Sequence, residues 1–390
     1  MKNYLLLTCV LLITCTQIHA QGIKNLDRAT STMDSIYKYF SISNSKLLRE
    51  QYPFQDDYIA GYLGGGENSK KSNPYSYLWP FSGSLSAQVA IYESSKDKQV
   101  LKSINQTVLA GLQSYYDTRK PAGYASYVNS APKSDRFYDD NVWLGIDYTD
   151  LYLLTNDKKY LAKAKEIWAF VASGMDDKLG GGIYWCEQRK ESKNTCSNAP
   201  GIVYLAKLYE ATKDESYLKL AKELYQWTQS NLMDQSDYVY YDNINLSGKV
   251  DKRKYPYNSG QMIQAGALLY KITNDKQYLV DAQNVAKGAY EYFFYDYKEP
   301  SSGKSMKLLK TSDNWFIAVM MRGFVELYHL DNNKLYVNAF QENLDYAWEH
   351  MREANGLFNK DWSGKQKKEP KWLLDQFAIA EMLGKLSTIK

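Results

Sequence analysis

The chain alternates between apolar, tyrosine-rich stretches at helical spacing and short polar turns that each contain an aspartate. Ile91-Tyr92-Glu93-Ser94-Ser95-Lys96-Asp97 leads to Val100-Leu101, and Leu153-Leu154-Thr155-Asn156-Asp157 leads to Tyr160-Leu161. The same figure runs from Leu208 through Asp214 to Tyr217-Leu218, from Leu269 through Asp275 to Tyr278-Leu279, and from Leu327 through Asp331 to Leu335-Tyr336. The markers Leu101, Leu161, Leu218, Leu279 and Tyr336 recur about every 60 residues, the signature of a helical-hairpin array. The aspartate in each turn is expected to cap the second helix. Between turns, spacings such as Leu144, Ile146, Tyr148, Leu151 and Leu154 fit a buried helix better than a strand.

Five hairpins are complete, and helices near Leu26–Phe40 and Lys371–Leu386 remain over. If those two pair, the array closes on itself, and closure removes the apolar ends that an open solenoid must cap. The expectation is an all-α fold, an (α/α)6 barrel of six hairpins in a single domain. The first helix of each hairpin lies inside the ring and the second outside. An open tetratricopeptide-like array is the alternative, but its repeat is about 34 residues and the connections here are longer.

The turns within hairpins are short, whereas the connections between hairpins, near 46–75, 117–137, 173–196, 233–256, 298–311 and 352–370, are long. Because the helices alternate in direction, all the long connections fall at one end. Long loops without structure of their own are usually functional. They, and the inner-helix starts beside them, carry Trp79, Asn141, Trp143, Tyr184, Trp185, Asn198, Asp242, Tyr257, Asn258, Asp313 and Trp315. A ring of amides, carboxylates and aromatic faces suits a neutral polyhydroxylated ligand, and these residues are the candidate substrate contacts.

Within that set, Ser134-Asp135-Arg136-Phe137-Tyr138-Asp139-Asp140-Asn141-Val142-Trp143 places two adjacent carboxylates in or just before the first turn of a helix. A helix cap needs only one carboxylate. The flanking Phe137, Tyr138 and Trp143 form the kind of apolar wall that separates the pKa values of two neighbouring carboxyls. Consecutive helical side chains diverge by about 100°, so the two groups can reach a ligand from different angles at roughly 5–6 Å separation, near the spacing of a retaining glycosidase. Asp139 and Asp140 are therefore the candidate catalytic pair.

Composition narrows the choice. The 390 residues are 44% hydrophobic with a net charge of +4, and the basic residues are scattered, so no nucleic-acid partner is expected. Histidine is limited to three residues, which disfavours imidazole-based acyl transfer. Gly64-Gly65-Gly66 and Gly180-Gly181-Gly182 lack the context of a phosphate loop and are expected to be flexible segments. Lys2 and the apolar run Leu5–Ile13, ending at Ile18-His19-Ala20, mark residues 1–20 as an export signal, leaving 21–390 as the mature domain. Leu12-Ile13-Thr14-Cys15 resembles a lipoprotein box, so a surface anchor through Cys15 is the alternative to a periplasmic or secreted protein. No later stretch is long and apolar enough to span a membrane. Cys186 and Cys196 share one loop, and a disulfide is open to them if their Cα atoms lie within about 7 Å. Two cysteines without a nearby histidine make a metal site unexpected. No cofactor is called for, and a monomer is expected.

At Tyr138-Asp139-Asp140-Asn141, Gly180–Cys186, Lys193-Asn194-Thr195-Cys196-Ser197-Asn198-Ala199-Pro200 and Tyr257-Asn258-Ser259-Gly260 the sequence resembles glycoside hydrolase family 76, the α-1,6-mannanases. The resemblance covers nearly the whole mature chain. It implies an (α/α)6 barrel, α-mannan as the partner, endo-acting cleavage of α-1,6-mannosidic linkages with retention, Asp139 as nucleophile and Asp140 as acid/base. Asp242 matches a family aspartate that holds substrate at the reactive subsite. Asn243 and Ser259 stand where the family often has Gly and Gln, which bears on subsite preference. A transglycosylase or a non-catalytic mannan-binding protein on the same site are the rival outcomes.

Overall fold

A computed structural model describes residues 2–60, 73–367 and 370–389, with side chains from Ala20 onward. The helices are α1 (Lys2–Phe40), α2 (Leu78–Ser95), α3 (Lys98–Ser103), α4 (Leu109–Leu112), α5 (Tyr138–Thr155), α6 (Lys158–Ala172), α7 (Thr195–Thr212), α8 (Glu215–Leu232), α9 (Pro256–Thr273), α10 (Lys276–Phe293), α11 (Asn314–Asp331), α12 (Lys334–His350) and α13 (Leu373–Leu386). A π-helical turn at Ile104–Val108 joins α3 and α4 into one rod. Gly64-Gly65-Gly66 lies outside the described residues.

The helices sort into two shells by their apolar pattern. α7 buries every residue from Thr195 to Leu208, as a helix surrounded on all sides must. Its hairpin partner α8 buries one stripe, Leu218, Ala221, Leu224, Tyr225, Thr228 and Leu232, at the spacing of a helix packed on one face. The same contrast separates α5 from α6 and α9 from α10. Neighbours around the inner shell run α2, α5, α7, α9, α11, α13 and back to α2. Gly83 and Gly384 make the closing seam, since a Cβ at Gly83 would meet Leu374 at 2.7 Å and one at Gly384 would meet the Ala90 backbone. α1 packs outside α13, so the two leftover helices pair and the expected (α/α)6 barrel closes.

The inner-to-outer turns share one chemistry. Lys96, Asn156, Lys213, Asn274 and Asn332 end their helices with φ between 53° and 60°, a left-handed stop that Asn tolerates better than most residues with a Cβ. The next residue caps the outer helix: Asp97, Asp157, Asp214, Asp275 and Asn333 each accept a hydrogen bond from the backbone N–H two residues on. The fifth turn corrects the expectation. Asn333 is the cap there, and Asp331 instead accepts from the Asn333 N–H, the place that Ser95 or a threonine takes in the other turns.

The long connections are not structureless either. Ser192–Asn194 pairs with Tyr241–Asn245, which pairs with Val250–Lys254. Phe294–Lys298 pairs with Ser305–Leu309, and Gln51–Tyr52 with Lys371–Trp372. The Gly180-Gly181-Gly182 run is a conformational requirement rather than slack. All three glycines have positive φ, and a Cβ on Gly182 would strike the Trp227 ring at 2.7 Å.

Candidate active site

All six inner helices start at the same end of the ring, and their starts build one cavity of about 890 Å³, near the upper end of ordinary ligand pockets. The residue just before each inner helix lines it: Tyr77, Phe137, Asn194, Tyr255, Asp313 and Trp372. None of the six makes the side-chain hydrogen bond that would cap its own helix. Two positions into the helix stand Trp79, Asp139, Cys196, Tyr257 and Trp315, which also line the cavity. One residue later come Asp140, Phe316 and Asp375.

The aromatic members support one another. Trp315 meets Trp143 edge-on at 4.9 Å and Trp79 at 5.4 Å, while Tyr257 stacks on Phe316 at 4.2 Å. Beneath Trp143 lies the Arg322 guanidinium, paired to Glu381 at 2.5 and 2.9 Å. Rings facing a cavity offer apolar faces to the C–H surfaces of a ligand.

Asp139 and Asp140 are both half-buried and face different surroundings. Oδ2 of Asp139 accepts from Trp185 Nε1 at 3.1 Å and from the Cys196 thiol at 3.3 Å, whereas its buried Oδ1 has no partner. Burial pushes the Asp139 carboxyl up to about 6, and the two donors together with the backbone N–H groups of the helix start hold it from going higher. Asp140 is pushed well above the ordinary carboxyl range by burial and by the charge of Asp139. The pair thus divides into a carboxyl that ionises first and one that keeps its proton.

Other carboxylates complete the rim. Asp242 accepts from Asn243 at 3.0 Å and from Arg253 at 3.4 Å, and burial raises its carboxyl. Asp313 is ion-paired with Lys360. Asp375 accepts from the Asn314 N–H at 2.6 Å, so α13 supplies the cap that α11 lacks, and burial carries this carboxyl up to about 7.

Of the expected contacts, Trp79, Asp139, Asp140, Trp143, Trp185, Asp242, Tyr257, Asp313 and Trp315 line the cavity. Asn141, Tyr184, Asn198 and Asn258 do not, and the reasons are physical. Asn141 and Asn198 occupy the same place in α5 and α7, and each uses its amide to clamp an incoming loop. Asn141 accepts from the Tyr124 N–H and donates to the carbonyls of Tyr124 and Phe137, and Asn198 does the same with Ile183 and Asn194. Gln376 in α13 grips the N–H and carbonyl of Phe358 in the same way. Tyr184 is buried with its hydroxyl donating to Asp176 at 2.8 Å, and Asn258 is buried within α9. The disulfide left open in the sequence does not form. Cys186 pairs by its backbone with Phe137, while Cys196 stands in the first turn of α7 and turns its thiol to Asp139, so the shared loop leads them to different places.

The sequence reading missed Tyr255, Phe316, Trp372, Asp375 and Cys196 as cavity residues. Their signal was positional, two or three residues into an inner helix or just before it. Among the described residues, no group of three or more His, Cys, Asp or Glu side chains is placed to hold a metal ion. None of the described helices is long and apolar enough to cross a membrane.

Residues 49–386 match the profile of glycosyl hydrolase family 76. The fold superposes on a family 76 glycoside hydrolase (mannosidase) from Bacteroides thetaiotaomicron with TM-score 0.84 and 32% identity, covering 93% of this chain and 98% of that one. A family 76 α-mannanase from the same species gives TM-score 0.80 and 26% identity over 93% and 95% of the two chains. A mannan endo-1,6-α-mannosidase of Saccharomyces cerevisiae is 27% identical over 151 residues, 36% of this chain and 33% of that protein. The chain spans about half or less of the length of the curated yeast relatives that it matches first.

Proposed function

The chain belongs to glycosyl hydrolase family 76, a family of glycosidases, and on that premise we propose that it cleaves α-1,6-mannosidic linkages inside α-mannan chains with retention of configuration. The observation that carries the proposal is the split environment of Asp139 and Asp140 at one helix start inside an aromatic-walled cavity. Asp139, the carboxyl that ionises first, attacks the anomeric carbon. Asp140, which keeps its proton, protonates the departing oxygen and then takes a proton from the incoming water. Asp242 and the rim carboxylates grip ring hydroxyls as the sugar flattens, and this helps the rate only where the grip tightens in the transition state. Endo action on mannan is supported by the names of the yeast relatives. The α-mannanase among the Bacteroides neighbours supports the substrate class.

Incubation with linear α-1,6-mannan, with the anomeric configuration of the first products followed by NMR, tests this. Internal cleavage giving α-configured reducing ends is expected, and β-configured first products or no cleavage contradict the proposal. We also propose export, with cleavage after Ala20. A mature N-terminus at Gln21 supports that, and a lipid-modified Cys15 or a retained leader contradicts it.

A further inference from the structure

The mechanism leaves two contacts at the reacting carboxylate unused. Cys196 stands two positions into α7, as Asp139 stands two positions into α5, and the two side chains meet across the cavity wall with Sγ 3.3 Å from Oδ2. Trp185 reaches the same oxygen from the loop before α7, at 3.1 Å through Nε1, with its ring seated against Phe137 at 4.8 Å.

We propose that Trp185 and Cys196 form a two-donor clamp on Oδ2 of Asp139, which fixes the plane of the nucleophile and supports its charged form. They are positioning residues, and the inference rests on Asp139 being the nucleophile. The thiol stays protonated, because burial and the neighbouring carboxylates Asp139 and Asp242 raise it well above its ordinary value, so it can only donate to Oδ2. An S–H is a weak donor. It orients the carboxylate while withdrawing less of its charge than a hydroxyl would, and a strongly solvated carboxylate is a poorer nucleophile. Asn198 and Asn141 anchor the two loops at either side and so fix the distance between clamp and carboxylate.

The test is the pH dependence of kcat/KM on p-nitrophenyl α-1,6-mannobioside, whose good leaving group makes the first step depend on the nucleophile rather than the acid. Cys196→Ala should lower kcat roughly tenfold with little change in KM and move the acid limb upward by up to about one pH unit, as loss of a hydrogen bond to a charged group predicts. Cys196→Ser, which restores a stronger donor, should return the acid limb to the native position or below it. Trp185→Phe, which keeps an aromatic ring but removes the Nε1–H donor, should shift the limb upward as Cys196→Ala does. If Ala and Ser behave alike, or all three variants keep the native acid limb, the residues only pack and the clamp is refuted. Asp139→Asn in the same assay separates the two ideas. Its inactivity beside unshifted clamp variants overturns the clamp alone, whereas an active Asp139→Asn overturns the nucleophile assignment and the clamp with it.

Discussion

The two ends of the ring begin helices in opposite ways. At the turn end, each of the five outer helices from α3 to α12 is capped by its own Asp or Asn, on an exposed surface, five times over. At the mouth, none of the six inner helices is capped by the residue before it, and all six of those residues face the cavity instead. A cap uses a polar side chain to satisfy its own backbone, which makes that side chain unavailable to a ligand. The mouth meets the same backbone demand by other means. Asp375 reaches across from α13 to cap α11, and Asn141, Asn198 and Gln376 tie the loops down one turn further in. Six helix starts, each with N–H groups directed at one space, then support carboxylates that can do chemistry.

The comparison breaks first, and most visibly, at the loop clamps. Asn198→Ala strands the N–H and carbonyl of Ile183 and the carbonyl of Asn194, each worth about 1–3 kcal/mol when buried unpaired. Thermal unfolding should show a loss of several kcal/mol, with activity falling in step. A stable variant with only a raised KM would instead make Asn198 a substrate contact.

A second effect is a conflict between stability and activity along pH. Folding raises the carboxyls of Asp139 to about 6 and of Asp375 to about 7, and that of Asp147, buried deeper in α5 and accepting from the Ser86 hydroxyl, also to about 7. Each then holds a proton in the native state that the unfolded chain has already released near 3.8, so stability is greatest at low pH and declines as pH rises through the folded values. Carboxylates lowered by ion pairs, such as Asp234 with Lys254, act the other way, but their contribution is complete above the unfolded value and does not vary in this window. Between about pH 5 and pH 7 the melting temperature should fall while kcat/KM climbs with the ionisation of Asp139. Parallel rise of both would mean that the mouth carboxylates are not buried against their charge.

The smallest effect belongs to the turn end. Asp214→Ala should cost about 1 kcal/mol, a shift of roughly 1 °C by calorimetry in a chain of this length, with kcat unchanged at 25 °C. A change in kcat would show that the two ends are not independent.

This asymmetry also explains what the sequence revealed. The turns repeat because each solves the same problem, so Thr155, Asp157, Thr212, Asp214, Thr273 and Asp275 were legible as punctuation, and the hairpin count and closure of the ring followed. The mouth repeats in position but not in residue type. Cys196, Asp139, Tyr257 and Trp315 hold the same place in their helices and share no chemistry, so only those with a familiar role stood out. Asn141 and Asn198 misled for the converse reason, since an amide beside a cavity reads as a ligand contact until its backbone partners are seen. Strands such as Tyr241–Asn245 escaped because they are short and carry Asp242 and two asparagines, residues poor in strand propensity.

The central claim is that the uncapped start of α5 holds one carboxylate for attack and the other for proton transfer. The most direct measurement compares Asp140→Asn on α-1,6-mannan and on p-nitrophenyl α-1,6-mannobioside, with Asp139→Asn alongside. Loss of the acid should slow mannan cleavage on the order of 10²–10⁴-fold while leaving the first step on the nitrophenyl substrate far less affected, because nitrophenolate departs without a proton. Asp139→Asn should lose both activities by several orders of magnitude, with a melting temperature close to native because an Asn side chain can accept the same backbone N–H groups at the helix start as Asp. Near-native mannan cleavage by both variants, or equal loss on both substrates for Asp140→Asn, would contradict the assignment.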